Sequence, residues 1–205
     1  NSLIINVCKQ LNDYDPTRAG RLIDNFVNDD LSNWYVRLNR KRFWGKEMDS
    51  DKLNAYQTLY SCLMTVAKLV APFAPFYADR LYHDLGGKME SVHLESYPVA
   101  DTEAIDAELE ARMDIAQKIT SMTLALRRKV NIKVRQPLAQ LMIPAIDDKQ
   151  KQRICAVKDL IKNEVNVKEV NFVENSGFLV KKVKCNFRVM GKKFGKLMKS
   201  VAAHM

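Results

Sequence analysis

The densest grouping of side chains able to act on a ligand is Arg37, Arg40, Lys41, Arg42 and Trp44. Guanidinium and ammonium groups neutralise phosphates, and an exposed indole offers a face on which a nucleobase stacks. A second grouping is Arg127, Arg128, Lys129, Lys133 and Arg135, in a run from residue 127 to residue 146 that holds no acid. A third, Lys192, Lys193 and Lys196, belongs to the segment from Gly177 onward, which carries eight cations and no Asp or Glu. The acids are grouped too, with five between Asp101 and Glu110 and no base among them. A net charge of +9 laid down in blocks points to a polyanionic partner, nucleic acid first. The other reading, solvated charge that complements the ends of helices, stays open for each block.

Other chemistries find little support. Cys8, Cys62, Cys155 and Cys185 are far apart and form no Cys-x-x-Cys pair, while His83 and His93 lack partners at ligand spacing. No metal is expected, and the cysteines read as reduced, cytosolic and mostly packed. His83 stands just before Asp84-Leu85-Gly86-Gly87, which makes it a residue of a helix end rather than a catalytic base. Gly191-Lys192-Lys193-Phe194-Gly195-Lys196 has the wrong glycine spacing for a Walker loop, and no Ser or Thr follows its last lysine closely enough. It keeps only the role of a basic loop touching RNA phosphate. No catalytic residue and no cofactor is therefore expected in this chain. The longest apolar stretch, Leu69 to Phe76, is short and broken by two prolines, so neither a membrane span nor a secretory signal is expected.

The elements that must position these residues are mostly helical. Leu3, Ile4, Val7 and Leu11 begin a helix at once. Asp15-Pro16 supplies an N-cap followed by proline at the first helical position. From there Ala19, Leu22, Ile23, Phe26, Val27, Leu31, Trp34, Tyr35 and Leu38 form one apolar stripe, predicting a helix to Trp44 that Gly45 stops. Trp34 and Tyr35 on the stripe read as core, and Arg37, Arg40 and Lys41 off it point outward. Trp44 has two open readings, a stacking platform or a packed aromatic at the helix end. A helix from Ser50 to Ala71 follows, with Leu53, Tyr56, Leu59, Tyr60, Leu63, Ala67 and Val70 as its core face. A shorter one runs from Pro75 to Leu85, and residues 86 to 100 connect it to a long helix, Thr102 to Lys129. That helix turns Ile105, Leu109, Met113, Ala116, Ile119, Thr123 and Leu126 to the core. Beyond it come a strand at Leu138–Ile143, a helix at Lys149–Asn163, strands at Val165–Val173 and Phe178–Lys184, and a helix at Lys192–Ala203. The fold class is mainly α: a helical bundle over residues 1–135 and a small basic α/β subdomain over 136–205. Because the chain opens on Asn1, already in helical pattern, a piece of a longer polypeptide is expected. His204-Met205 is given no function.

The wording of the first cluster adds to this. Asp30-Leu31-Ser32-Asn33-Trp34-Tyr35-Val36-Arg37-Leu38-Asn39-Arg40-Lys41-Arg42-Phe43-Trp44 closely resembles the anticodon-binding helix of class I aminoacyl-tRNA synthetases of the isoleucine, valine, leucine and methionine group. Leu69-Val70-Ala71-Pro72-Phe73-Ala74-Pro75-Phe76, Arg127-Arg128-Lys129-Val130-Asn131-Ile132-Lys133-Val134-Arg135-Gln136-Pro137-Leu138 and the segment Lys184–Lys196 resemble the same family, in the expected order. The run from Asn131 to Leu138 is nearest the isoleucyl branch. The resemblance implies an anticodon-binding helical bundle, with the tRNA(Ile) anticodon stem-loop and the catalytic domain of the same polypeptide as partners, in the cytoplasm and away from any membrane. It also implies that the full-length enzyme uses ATP with magnesium, and that zinc, where members carry it, lies elsewhere. Neither a His-Ile-Gly-His-like nor a Lys-Met-Ser-Lys-Ser-like element is present, so the chain alone is expected to be inactive. A valyl branch and a helical protein-interaction module with a nonspecific basic tail are the alternatives.

Overall fold

Three helices in this protein begin where an aspartate side chain takes up a backbone amide. In the computed structural model, which describes residues 1–45, 47–144 and 147–173, Asp15 Oδ1 accepts from the Arg18 amide at 2.9 Å, and Asp49 Oδ1 from the Lys52 amide at 2.7 Å. Asp147 does the same for the Gln150 amide at 2.6 Å. Each opens a helix as an N-cap. The expected strand at Phe178–Lys184, the helix at Lys192–Ala203 and the residues Lys192, Lys193 and Lys196 lie outside the described residues.

The chain divides into two compact units, Asn1–Ala107 and Glu108–Met205. In the first, α1 (Ser2–Asn12) packs on α2 (Pro16–Asn25), which continues as a π-helical segment (Phe26–Val36). The single helix expected from Asp15 to Trp44 is thus interrupted twice: by these π turns, and by Asn39, whose φ of −91° and ψ of 10° open a separate short helix α3 (Arg40–Trp44). The segment is rich in Asn, Asp and Ser, which compete for backbone hydrogen bonds and weaken an α-helix. Its wider turns still keep Leu31 and Trp34 buried. Tyr35 is half-buried, its hydroxyl donating to the Ala55 carbonyl at 3.1 Å.

Helix α4 (Ser50–Val70) crosses to α5 (Pro75–Asp84) through the Pro72 turn. Its core face differs from the expected one. Ala55, Val66, Ala67 and Leu69 are buried, whereas Leu53, Tyr56 and Tyr60 are exposed by 41 to 47 %. The large residues misdirect the reading: Ala55 is buried with its carbonyl accepting from the Tyr35 hydroxyl, while Tyr56 lies beside the Phe43 ring and stays partly open to solvent. One core cluster joins Ile4, Val7, Ala19, Ile23, Val66 and Leu69, with Phe73 and Tyr97 against it. A second joins Ala67, Ala71, Ala78, Tyr82 and Val92, so the C-terminal half of α4 is covered on two sides. The connection after α5 contains one 3-10 turn (Val92–Leu94), capped by Ser91.

The end of α5 shows why two glycines stand there. The Gly86 amide donates to the His83 carbonyl and the Gly87 amide to the Tyr82 carbonyl, both at 2.9 Å, with Gly86 at φ +78°. This is the paired closure of a Schellman motif. His83 lies in the last turn, as expected. A Cβ on Gly87 would stand 2.1 Å from the Tyr82 ring.

In the second unit, α6 (Ala107–Lys129) starts later than Thr102 because Asp101 Oδ1 takes the Glu103 and Ala104 amides in a turn of its own. Its buried residues are Ala116, Ile119, Thr120, Thr123 and Arg127, while Leu109 and Leu126, expected inside, are exposed. Strands β1 (Leu138–Pro144) and β2 (Val167–Val173) pair in parallel, Leu138 against Val167 through Pro144 against Val173. A parallel pair needs a crossover, which is supplied by α7 (Asp148–Ala156) and α8 (Lys158–Val165). The single helix expected at Lys149–Asn163 breaks at Val157 (φ −115°), and the break turns Ile154, Val157, Ile161 and Val165 inward together. Among the described residues no helix is long and apolar enough to cross a membrane.

Arg153 tethers α7 to α6 by a fork onto Glu108, at 2.9 and 2.7 Å. The Arg153 hydrogen bonds hold the Glu108 carboxyl down to about 2. A depressed carboxylate stabilises above its ordinary value and loses that contribution as pH falls. Glu108→Gln is therefore expected to flatten the acid limb of stability between about pH 4.5 and pH 2, read by urea denaturation at each pH. Gly87→Ala is expected to cost about 1 to 3 kcal/mol through the Tyr82 overlap, measured the same way at neutral pH.

Candidate nucleic-acid interface

The α3 cluster owes its geometry to what its inward-facing members grip. Phe43 is buried, with its ring 5.1 Å from that of Tyr56 and 6.2 Å from that of Tyr35. Tyr56 also donates its hydroxyl to the Phe43 carbonyl at 3.3 Å. Asn39 ties the start of α3 down: its amide donates to the Tyr35 carbonyl at 2.8 Å, and its oxygen accepts from Arg42 at 2.7 Å. Arg42 then forks onto Asp51, Nε to Oδ2 at 2.7 Å and Nη2 to Oδ1 at 2.6 Å. The hydrogen-bonded pair raises the guanidinium and holds the Asp51 carboxyl below the usual carboxylate range. Lys52 Nζ closes the far end on the Gly45 carbonyl at 2.6 Å.

What remains faces outward. Arg40 and Lys41 are exposed, and Trp44 is exposed by 78 %, so it is not a packed helix-end aromatic. The Arg40 guanidinium lies over the Trp44 ring at 5.9 Å, one turn away along the helix. This is cation–π range, and it keeps an indole face and a positive charge side by side. Arg37 is half-buried, its guanidinium 6.0 Å from the Trp34 ring. The structure thus sorts the expected cluster. Arg40, Lys41 and Trp44 are presented to solvent, Arg42 is engaged with Asp51, and Arg37 sits lower, against the core tryptophan. Asn39, Asp51 and Lys52 do the positioning and were not evident as site residues in the sequence. The one available signal was Asp49, which as N-cap of α4 fixes where Asp51 and Lys52 begin.

The second basic group is built around its own helix end. The Asn131 amide donates to the Arg128 carbonyl at 3.2 Å and the Ile132 amide to the Arg127 carbonyl at 2.9 Å, with Asn131 at φ +56°. This is again a Schellman closure, with Asn supplying the left-handed residue. Arg128, Lys129, Lys133 and Arg135 are exposed. Arg127 is not: its exposure is 3 %, which corrects the expectation that it meets phosphate. Its Nη1 donates to the carbonyls of Lys133 (3.2 Å) and Gln136 (3.0 Å), its Nη2 to those of Val165 (2.8 Å) and Asn166 (3.0 Å). Asn166, at φ +51°, adds a bond from its amide to the Val134 carbonyl at 2.9 Å. The loop that carries Lys133 and Arg135 is therefore clasped from beneath by main-chain contacts.

Both arrangements offer cations on rigid supports, one with an aromatic face. Among the described residues no group of three or more His, Cys, Asp or Glu side chains is disposed to hold a metal ion. Comparison with known proteins agrees with an RNA-binding reading. Residues 1–143 match the family described as the anticodon-binding domain of tRNA ligase. The chain is 64 % identical over 209 residues to the isoleucine–tRNA ligase of Bacteroides thetaiotaomicron, covering 99 % of this chain and 18 % of that protein. It is 60 % identical over 203 residues to that of Porphyromonas gingivalis (98 % and 18 %), and 40 % identical over 207 residues to that of Clostridium novyi (98 % and 19 %). The chain thus spans about a fifth of the length of these relatives.

Arg127→Ala is expected to destabilise the chain by about 3 to 5 kcal/mol, since it strands several buried carbonyls at once. Arg40→Ala should leave the melting temperature unchanged, and Arg42→Ala should lower it. Circular dichroism melting of the three variants checks both halves of this assignment.

Proposed function

Because the chain belongs to the family of anticodon-binding domains of tRNA ligases, we propose that it is the part of an isoleucine–tRNA ligase that holds the anticodon stem-loop of tRNA(Ile). The observation that carries this reading is the outward presentation of Trp44 with the Arg40 guanidinium over its ring, on a helix held by Phe43 and Arg42.

Anticodon loops are single-stranded, and their unstacked bases lie against aromatic or guanidinium planes before their edges are read. In this proposal Trp44 is the stacking face. Arg40 and Lys41 neutralise the phosphates flanking that base, setting register without reading sequence. Arg128, Lys129, Lys133 and Arg135 take further phosphates, and Lys192, Lys193 and Lys196, in the acid-free segment from Gly177 onward, are proposed to do the same. Arg42 contributes by holding α3, since its guanidinium is already engaged by Asp51 and Asn39.

Aminoacylation itself belongs, in this proposal, to a catalytic domain elsewhere in the same cytoplasmic polypeptide, which uses ATP with magnesium. The described residues do not fit that chemistry: among them no three or more His, Cys, Asp or Glu side chains are grouped to hold a metal ion, and Asp51 and Glu108 are paired with Arg42 and Arg153. No step of the reaction is assigned to them.

If four to six phosphates are neutralised, the logarithm of the tRNA association constant is expected to fall with the logarithm of salt with a slope of about −3 to −5. Filter binding across a salt series measures it. A salt-independent affinity would instead favour the protein-interaction alternative. Arg40→Ala with Lys41→Ala should weaken all tRNAs alike and reduce the slope, whereas Trp44→Ala should cost about 1 to 3 kcal/mol of binding at nearly constant slope. The purified chain should support no isoleucine-dependent pyrophosphate exchange; detectable exchange would overturn the division of labour proposed here.

A further inference from the structure

Arg127 is a buried cation whose charge meets no carboxylate in its four hydrogen bonds. All of its acceptors are main-chain carbonyls, and they come from two segments distant in sequence: Lys133 and Gln136 on the loop after α6, Val165 and Asn166 at the turn between α8 and β2. A guanidinium has five N–H donors in a fixed plane, so it can gather several carbonyls in one arrangement that no flexible amine reproduces. We propose that Arg127 is the positioning residue of a phosphate-binding loop. By drawing the Lys133 and Gln136 carbonyls inward, it obliges the side chains of Lys133 and Arg135 to stand outward, beside Arg128 and Lys129. The ligand is RNA phosphate, so the inference rests on the RNA-binding reading above and adds to it a site separate from α3.

Three observations converge on the loop. The carbonyls that flank Val134 and Arg135 in sequence, those of Lys133 and Gln136, are both held by the same Nη1. The Val134 carbonyl between them is held from the side by Asn166 Nδ2. The Gln136 amide closes on the Lys133 carbonyl at 3.0 Å, a tight turn that brings the bases of the two cationic side chains close together. With the Lys133, Val134 and Gln136 carbonyls bound from within the protein, three negative dipole ends of the loop are taken up before a phosphate could meet them. Its exposed face carries four cations, Arg128, Lys129, Lys133 and Arg135, beside Val130 and Val134, and no acid. A loop free to rotate would present carbonyl oxygens to a phosphate part of the time and repel it. A clasped loop does not. The buried positive charge of Arg127 lies directly under this face and adds to its potential, although it touches no ligand.

A purely structural role and this one differ in a measurable quantity. Each phosphate contact contributes about 0.7 to 0.9 to the log–log salt slope of RNA binding. Tryptic or thermal stability would fall under either role, but the slope of the folded protein falls only if the loop holds phosphate and Arg127 shapes it. The experiment uses the full 205-residue chain and unfractionated tRNA, with filter binding at a temperature where circular dichroism shows each variant folded. Lys133→Ala with Arg135→Ala should reduce the magnitude of the slope by about 1 to 2. Arg127→Lys, which keeps the charge and loses the planar fork, should give a similar reduction, and combining the three changes should add little. Asn166→Gly retains the left-handed backbone, removes only the tether to Val134, and should lower the slope by a smaller amount.

If Arg127→Lys fails to fold, the Asn166→Gly slope decides: an unchanged value overturns the proposal. An unchanged slope for a folded Arg127→Lys, with a reduced one for the Lys133/Arg135 variant, also overturns it, since Arg127 would then matter to stability alone. If the Lys133/Arg135 variant keeps the wild-type slope while the Arg40/Lys41 variant lowers it, this loop is no phosphate site and the inference fails with the α3 reading intact. If the wild-type chain binds tRNA with no salt dependence, the RNA-binding reading itself has failed.

Discussion

An α-helix ends with carbonyls that no later amide in the helix can reach, and something must come to them. In this chain the manner of their satisfaction decides where side chains stand. At the end of α5 two glycine amides fold back onto Tyr82 and His83. At the end of α6 the same closure is made by Asn131 and Ile132, and the helix's own Arg127 reaches past it to collect carbonyls from two further segments. Asn166, in the left-handed region after α8, carries β2 away and returns its side chain to Val134. Replace the closure at the end of α6 by a continuing helix, and the cationic loop would become one more helical turn, its charges fanned around an axis instead of collected on one face.

The short helix α3 solves a different problem with other means. Five residues cannot hold a helix in water, since nucleation is costly and there is little length to offset it. Its order comes from outside: Phe43 between two tyrosine rings, the Arg42 fork on Asp51, Asn39 at one end and Lys52 at the other. Every one of these contacts runs back to the π-helical segment or to the first two turns of α4. The stiffness of the exposed Arg40 and Trp44 is borrowed from that framework.

Much of this was legible in the sequence, and the failures have physical causes. The cap at Asp15, the glycine stop after α5, the helix through Lys129 and the two strands of the sheet were readable because each rests on local chemistry. The wrong face of α4 came from weighting size. Leu53, Tyr56 and Tyr60 outweigh Ala55 in any apolar stripe, yet Ala55 is the one buried, and its carbonyl accepts from the Tyr35 hydroxyl. Arg127 was read as one more member of a basic run because its partners, carbonyls nine and thirty-nine residues away, leave no mark on side-chain identity. The π turns of Phe26–Val36 were hidden for the opposite reason: spacings of three, four and five residues overlap within one stripe, so a widened helix and an ordinary one share the same apolar pattern over a short span.

The parallel pairing of β1 with β2 has a consequence in time. Leu138 has no sheet partner until Val167 exists, and Arg127 has only half of its carbonyls until Val165 and Asn166 exist. At a synthesis rate of about 5 to 20 residues per second, those partners emerge roughly 2 to 8 seconds after the residues that await them. Through that interval the guanidinium at the end of α6 is a solvated cation like its neighbours. It becomes a buried one only when the strand that follows α8 arrives, so the last described strand of the chain is also what converts Arg127 from a surface charge into a part of the interior.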